Sequence, residues 1–109
     1  MQKIIKNKIS DLKRICLALN VKRLYAFGSV VSDDFRKDSD IDFLISFMET
    51  LTIEQYTDNY FALQYKLREL FGREIDIVTE RTLSNPYFVK SVNETKKLIY
   101  EALDKKIPF

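Results

Sequence analysis

At 109 residues and 12.9 kDa the chain has room for one hydrophobic core. Its 18 basic and 16 acidic residues leave a net charge of +2, which argues against a surface built throughout for polyanions, so no direct nucleic-acid contact is expected. No apolar run approaches the roughly 18 to 20 residues needed to cross a bilayer, which sets membrane insertion aside.

From Ile4 to Leu19 the apolar residues Ile5, Ile9, Leu12, Cys16 and Leu19 recur every three or four positions, which predicts one amphipathic helix. Lys3, Lys6 and Lys8 interrupt any secretory leader, and the single cysteine, Cys16, has no internal disulfide partner. A reducing cytoplasm is the expected location, with Cys16 serving as packing. Arg23–Phe27 reads as a short buried strand that stops at Gly28, and Ser32–Ser39 as a polar loop after a brief helical turn begun at Ser29. A second strand follows as Asp40–Phe47. Ile53, Tyr56, Tyr60, Leu63, Leu67 and Leu70 then mark the longest helix, with Gly72 at the position of a left-handed cap.

Arg73–Thr79 has β-branched strand character, Asn85–Thr95 reads as a short helix with Pro86 near its start, and Lys97–Tyr100 as a last strand. No repeat, low-complexity tract or linker divides the chain, so one domain over residues 1–109 is expected. The element order predicts an α+β (α/β-like) fold, a mixed β-sheet flanked by helices. Tyr56, Tyr60 and Phe61 read as core or interface rather than as nucleotide-stacking residues.

Histidine is absent, which removes Ser-His and Cys-His catalysis and histidine zinc sites in one step. Chemistry must therefore run on carboxylates. Because side chains alternate along a strand, Asp40 and Asp42 are expected on one face while Ile41, Phe43 and Ile45 point to the other. Two crowded carboxylates repel, and a divalent cation relieves the repulsion. Magnesium suits the role, since it commonly takes one or two carboxylates together with substrate phosphates. Asp76 sits in a like setting between Ile75 and Ile77. If its strand lies beside that of Asp40 and Asp42, the three could bind two metal ions roughly 3.5 to 4 Å apart, as in phosphoryl and nucleotidyl transfer. Gly28-Ser29 offers a turn whose backbone can approach a phosphate, with the Ser29 hydroxyl as a further contact.

Each feature has a plainer reading: Gly-Ser as an ordinary turn, and aspartates at strand starts as loop caps or solvent-facing charges. The joint pattern is more specific. Gly-Ser, ten residues and then Asp-x-Asp should arise by accident in roughly one chain per thousand of this length.

Gly28-Ser29, the spacer, Asp40-Ile-Asp42 and Glu74-Ile-Asp76-Ile-Val resemble the nucleotidyltransferase superfamily of the polymerase-beta type, most of all its minimal (MNT) members. The resemblance covers nearly the whole chain. It implies the nucleotidyltransferase fold, two magnesium ions on Asp40, Asp42 and Asp76, and ATP held by Gly28 and Ser29. Minimal members are commonly encoded beside a HEPN ribonuclease toxin and silence it by moving AMP from ATP to a tyrosine, so such a toxin is the expected partner and antitoxin the expected role. Minimal members often place Arg soon after Gly-Ser, whereas this chain has Val31-Ser32. A triphosphate contact is thus either missing or supplied by Arg36, with Ser39 a further candidate in the same loop; solvated charge is the plain alternative for Arg36 and Lys37.

The alternatives are a catalytically degenerate antitoxin that only binds its partner, an adenylyltransferase acting on a small-molecule hydroxyl, and a nucleic-acid polymerase. The last two ordinarily need further domains, and only 33 residues follow Asp76. A homodimer or hetero-oligomer is compatible with the many aromatics.

Overall fold

The structure is a computed structural model that describes residues 2–102; the outermost positions of the domain expected over 1–109 lie outside them. Two helices, α1 (Lys3–Lys6) and α2 (Ile9–Ala18), precede strand β1 (Val21–Phe27). A 3₁₀ turn at Gly28–Val31 and a loop lead to β2 (Ile41–Phe47), followed by α3 (Ile53–Phe71) and β3 (Ile75–Thr79). A second 3₁₀ turn at Glu80–Thr82, then α4 (Pro86–Thr95) and β4 (Lys97–Glu101), complete the order. The strands form one mixed sheet in the order β3-β2-β1-β4, with β2 and β3 parallel and the other pairs antiparallel.

The expected single helix over Ile4–Leu19 is two helices. At the break the Lys8 N–H reaches back only three residues to the Ile5 carbonyl, and Asn7, a weak helix former, closes α1. The bend lets Ile5, in α1, and Leu12 and Cys16, in α2, all bury fully in the same core. The predicted strand boundaries shift in four places: β1 starts at Val21, β2 at Ile41 and β3 at Ile75, and β4 ends at Glu101.

Alternation along the strands divides the sheet into two faces. One carries Leu24, Ala26, Ile41, Phe43, Ile45 and Ile75 into a core with Leu12, Cys16, Leu63 and Leu67 from α2 and α3. Burial there pushes the Cys16 thiol up to about 12, which leaves it an inert packing group. Tyr56 and Tyr60 pack at the margin of this core, Tyr56 edge-on to Phe47 with ring centroids 4.9 Å apart, while Phe61 is exposed. On the opposite face Phe27, Leu44 and Val92 form a smaller cluster under α4. Phe88 of α4 meets Phe27 edge to face at 5.9 Å.

Local chemistry explains the helix ends. Thr52 and Gln55 make a reciprocal capping box that starts α3. Asn85 accepts the Tyr87 and Phe88 N–H groups at the start of α4, with Pro86 in the first turn. Side chains of α3 also close the outer margin of the sheet: Tyr60 donates to the Ile77 carbonyl at 3.3 Å and Gln64 to the Ile75 carbonyl at 3.4 Å. Among the described residues no helix is long and apolar enough to cross a membrane.

Gly72 ends α3 at φ +63°, and a Cβ added there would meet nothing within 4 Å. Gly72→Ala therefore should cost only the left-handed backbone penalty, about 1–2 kcal/mol. Thermal melts should show a drop of about 4–8 °C per kcal/mol lost; an unchanged Tm would contradict the cap.

Candidate active site

Strand directions bring the candidate residues together. β1 runs antiparallel to β2, and β2 parallel to β3, so the end of β1 and the starts of β2 and β3 share one end of the sheet. In register, Phe27 pairs with Asp42, and Asp42 with Asp76. Asp42 and Asp76 thus sit side by side on the α4 face, and the Gly28-Ser29 turn follows directly after the third member of that row.

The carboxylates are crowded. Asp42 is half-buried, while Asp40 and Asp76 are exposed. The Asp42 carboxyl is pushed up to about 6 by burial first, then by the charge of Asp76 and a hydrogen bond to it, and last by Asp40. Asp40 is not part of β2. The ladder begins with Ile41, whose N–H bonds the Glu74 carbonyl at 3.2 Å, so Asp40 is carried by the preceding loop.

Gly28 lies against this pair. Its φ is +74°, and a Cβ built on it would stand 2.5 Å from Asp42 Oδ2. Glycine is required twice over, for the left-handed backbone and for the space. The rest of the turn is fixed by polar contacts: the Ser29 carbonyl accepts from both the Ser32 N–H and the Ser32 hydroxyl at 3.0 Å. Gln2 donates through its backbone to the Val30 carbonyl at 3.2 Å and through its side chain to the Ser32 carbonyl at 2.7 Å.

Arg36 and Ser39 have local partners within the loop. The Ser39 hydroxyl accepts the Arg36 N–H at 2.9 Å, and the Arg36 side chain is exposed. Arg73 holds the same loop, a role that its sequence position before the third strand did not reveal. The surface recesses bordering α3 are lined by none of Gly28, Asp40, Asp42 or Asp76.

The donor set suits a hard divalent cation. A carboxylate pushed up by a neighbouring carboxylate, as Asp42 is by Asp76, gains from a shared positive charge, and magnesium asks only one or two carboxylates of a protein when phosphates supply the rest. Among the described residues no three His, Cys, Asp or Glu side chains converge as a closed metal-binding group. Asp42 and Asp76 are the juxtaposed pair, and Asp40 adjoins them from its loop.

Two expectations follow for the metal-free protein. Since the Asp42 carboxyl rises from about 3.8 to about 6 on folding, the native state binds more protons between those values and loses stability as pH climbs through the window. Asp42→Asn should therefore raise Tm above pH 6, an effect on the order of 1 kcal/mol once solvent screening is discounted, and the gain should vanish near pH 4. Gly28→Ala should cost more than Gly72→Ala in the same melts, because it adds a clash with Asp42 to the shared penalty of about 1–2 kcal/mol; equal losses would refute the contact.

The comparisons with known proteins agree with this fold. The family described as "Nucleotidyltransferase domain" matches residues 9–99. A Methanocaldococcus jannaschii protein that carries the provisional name protein adenylyltransferase MJ1217 is 34% identical over 80 residues, covering 73% of this chain and 76% of that one. A solved structure described provisionally as a minimal nucleotidyltransferase superposes with a TM-score of 0.69 at 28% identity, over 87% of this chain and 92% of the other. The MNT antitoxin structure solved with a tri-AMPylated Shewanella oneidensis HEPN toxin shares the fold, with a TM-score of 0.61 at 17% identity over 89% of this chain and 72% of that one. With its sheet order, its Gly-Ser turn and its aspartate pair in place, this chain belongs to the nucleotidyltransferase family and is a nucleotidyltransferase of the minimal, MNT type.

Proposed function

We propose that the chain moves AMP from ATP to a hydroxyl, with magnesium, and that the acceptor is a tyrosine of a HEPN ribonuclease partner whose activity the transfer silences. The observation that carries this reading is the approach of Gly28 to Asp42, which sets a phosphate-accepting turn directly beside paired carboxylates. A triphosphate lying along Gly28-Ser29 would meet backbone N–H groups and the Ser29 hydroxyl on one side and the aspartates on the other.

Asp40, Asp42 and Asp76 would hold magnesium, which when bound neutralises phosphate charge and polarises the α-phosphorus. Asp76, exposed at the start of β3, would take the proton of the incoming hydroxyl. The acceptor oxygen forms a bond to the α-phosphorus, the bond from that phosphorus to the bridging oxygen breaks, and pyrophosphate leaves. Support for the acceptor class comes from the relatives, among them an MNT antitoxin solved with an AMPylated HEPN toxin. Exposed Tyr87 and Phe88 on α4, beside the turn, offer apolar surface to such a partner.

A second reading is a binding-only antitoxin. It is favoured by Val31-Ser32 standing where minimal members often carry Arg, and by the internal hydrogen bond of Ser39. The cost of keeping Asp42 beside Asp76 opposes it, because a scaffold has no use for that repulsion.

Incubating the protein with a co-expressed HEPN partner, magnesium and ATP labelled on the α-phosphate should label the partner. Asp42→Asn should reduce labelling by at least a hundredfold while the complex still forms. Binding without label from the native chain would leave the scaffold reading standing and end the enzymatic one.

A further inference from the structure

Asp40 is the one proposed ligand that the sheet does not hold. It is exposed, it precedes the first ladder bond of β2, and its direction is set by the loop before it. That loop is short of internal restraint: residues 36–39 close a turn through the Ser39 N–H to Arg36 carbonyl bond at 3.1 Å and the Arg36 N–H to Ser39 hydroxyl bond at 2.9 Å. Neither bond ties the turn to the rest of the molecule.

Arg73 supplies the tie. From the residue after the α3 cap, one guanidinium nitrogen donates to the Ser39 carbonyl at 2.7 Å and to the Arg36 carbonyl at 3.0 Å. The same guanidinium lies over the Phe35 ring, its central carbon 4.4 Å from the centroid. Phe35 in turn packs against the main core. Three contacts thus clamp both ends of the turn to the segment that leads into β3, and the next residue, Glu74, accepts the Ile41 N–H on the far side of Asp40. The aspartate is bracketed: Ser39 is held by Arg73, and Ile41 by Glu74.

We propose that Arg73 is a positioning residue, which sets the Asp40 carboxylate relative to the Asp42–Asp76 pair through its bonds to the loop backbone. The guanidinium satisfies carbonyl oxygens rather than the carboxylate, so Asp40 keeps its charge free for a cation. A planar fork suits this double role of stacking and donating to two acceptors, and a lysine reproduces only the second part of it. The proposal rests on the reading of Asp40 as a magnesium ligand.

The test compares Arg73→Ala, Arg73→Lys, Asp40→Asn and the double variant Arg73→Ala/Asp40→Asn, each in nucleotide transfer and in magnesium-dependent thermal shift without nucleotide. Loss of a residue that orients a metal ligand commonly costs about 10- to 100-fold in metal affinity or activity. Arg73→Ala should lower kcat within that range and raise the magnesium concentration for half-maximal thermal shift, with KM for ATP changed less than about threefold because Gly28-Ser29 is untouched. Arg73→Lys should recover part of the loss. In the Asp40→Asn background Arg73→Ala should have little further effect, because the group it orients is already gone. Should Arg73→Ala fail to fold, the same comparison is made with Arg73→Lys. Full additivity of the two changes, or an unaltered magnesium requirement in a folded Arg73 variant, would overturn the positioning role. If Asp40→Asn itself leaves both transfer and magnesium response intact, the fault lies in the proposed function rather than in Arg73.

Discussion

Two like charges facing each other across parallel strands govern the architecture of this molecule. Asp42 and Asp76 are paired in register on β2 and β3, and their proximity disfavours ionisation of the half-buried member. Strand pairing enforces the juxtaposition: the apolar residues Ile41, Phe43, Ile45 and Ile75 drive the opposite face into the main core and fix which way the aspartates point. A slip of one residue would turn Ile41 and Phe43 outward. Burial on one side of the sheet thus provides the stability against which repulsion on the other is maintained.

The two glycines show how one backbone conformation serves unrelated ends. Gly72 takes up the left-handed region in open space, where it ends α3. Gly28 takes it up in contact with Asp42, where the missing Cβ lets the turn close against a carboxylate. The first is a matter of chain geometry alone. The second links the conformation of a loop to the electrostatics of a site.

Much of the fold was legible in the sequence where a single strong periodicity ran between clear stops. The three-and-four spacing from Ile53 to Leu70, with Gly72 behind it, marks α3 unambiguously. The first helix was not readable in the same way, because Ile5, Ile9 and Leu12 keep helical spacing straight through the break and only Asn7 hints at it. Alternation predicts that Asp42 opposes Phe43, but it cannot say where the ladder begins, and so Asp40 was assigned to a strand that starts one residue later. That Asp42 pairs with Asp76 was implied by the resemblance but not by local pattern. Pairing of β2 with β3 depends on contacts across α3, and the hold of Arg73 on residues 36 and 39 spans more than thirty positions of chain. Such links are decided by tertiary packing, to which local residue patterns are blind.

The closure of the sheet margin by α3 bears on how the molecule meets its surroundings. An outermost strand ordinarily offers a row of unused carbonyls on which another polypeptide can build. Here Tyr60 and Gln64 already occupy those of Ile77 and Ile75, at the flank nearest Asp76. Lateral annealing of a foreign chain along this flank is thereby discouraged.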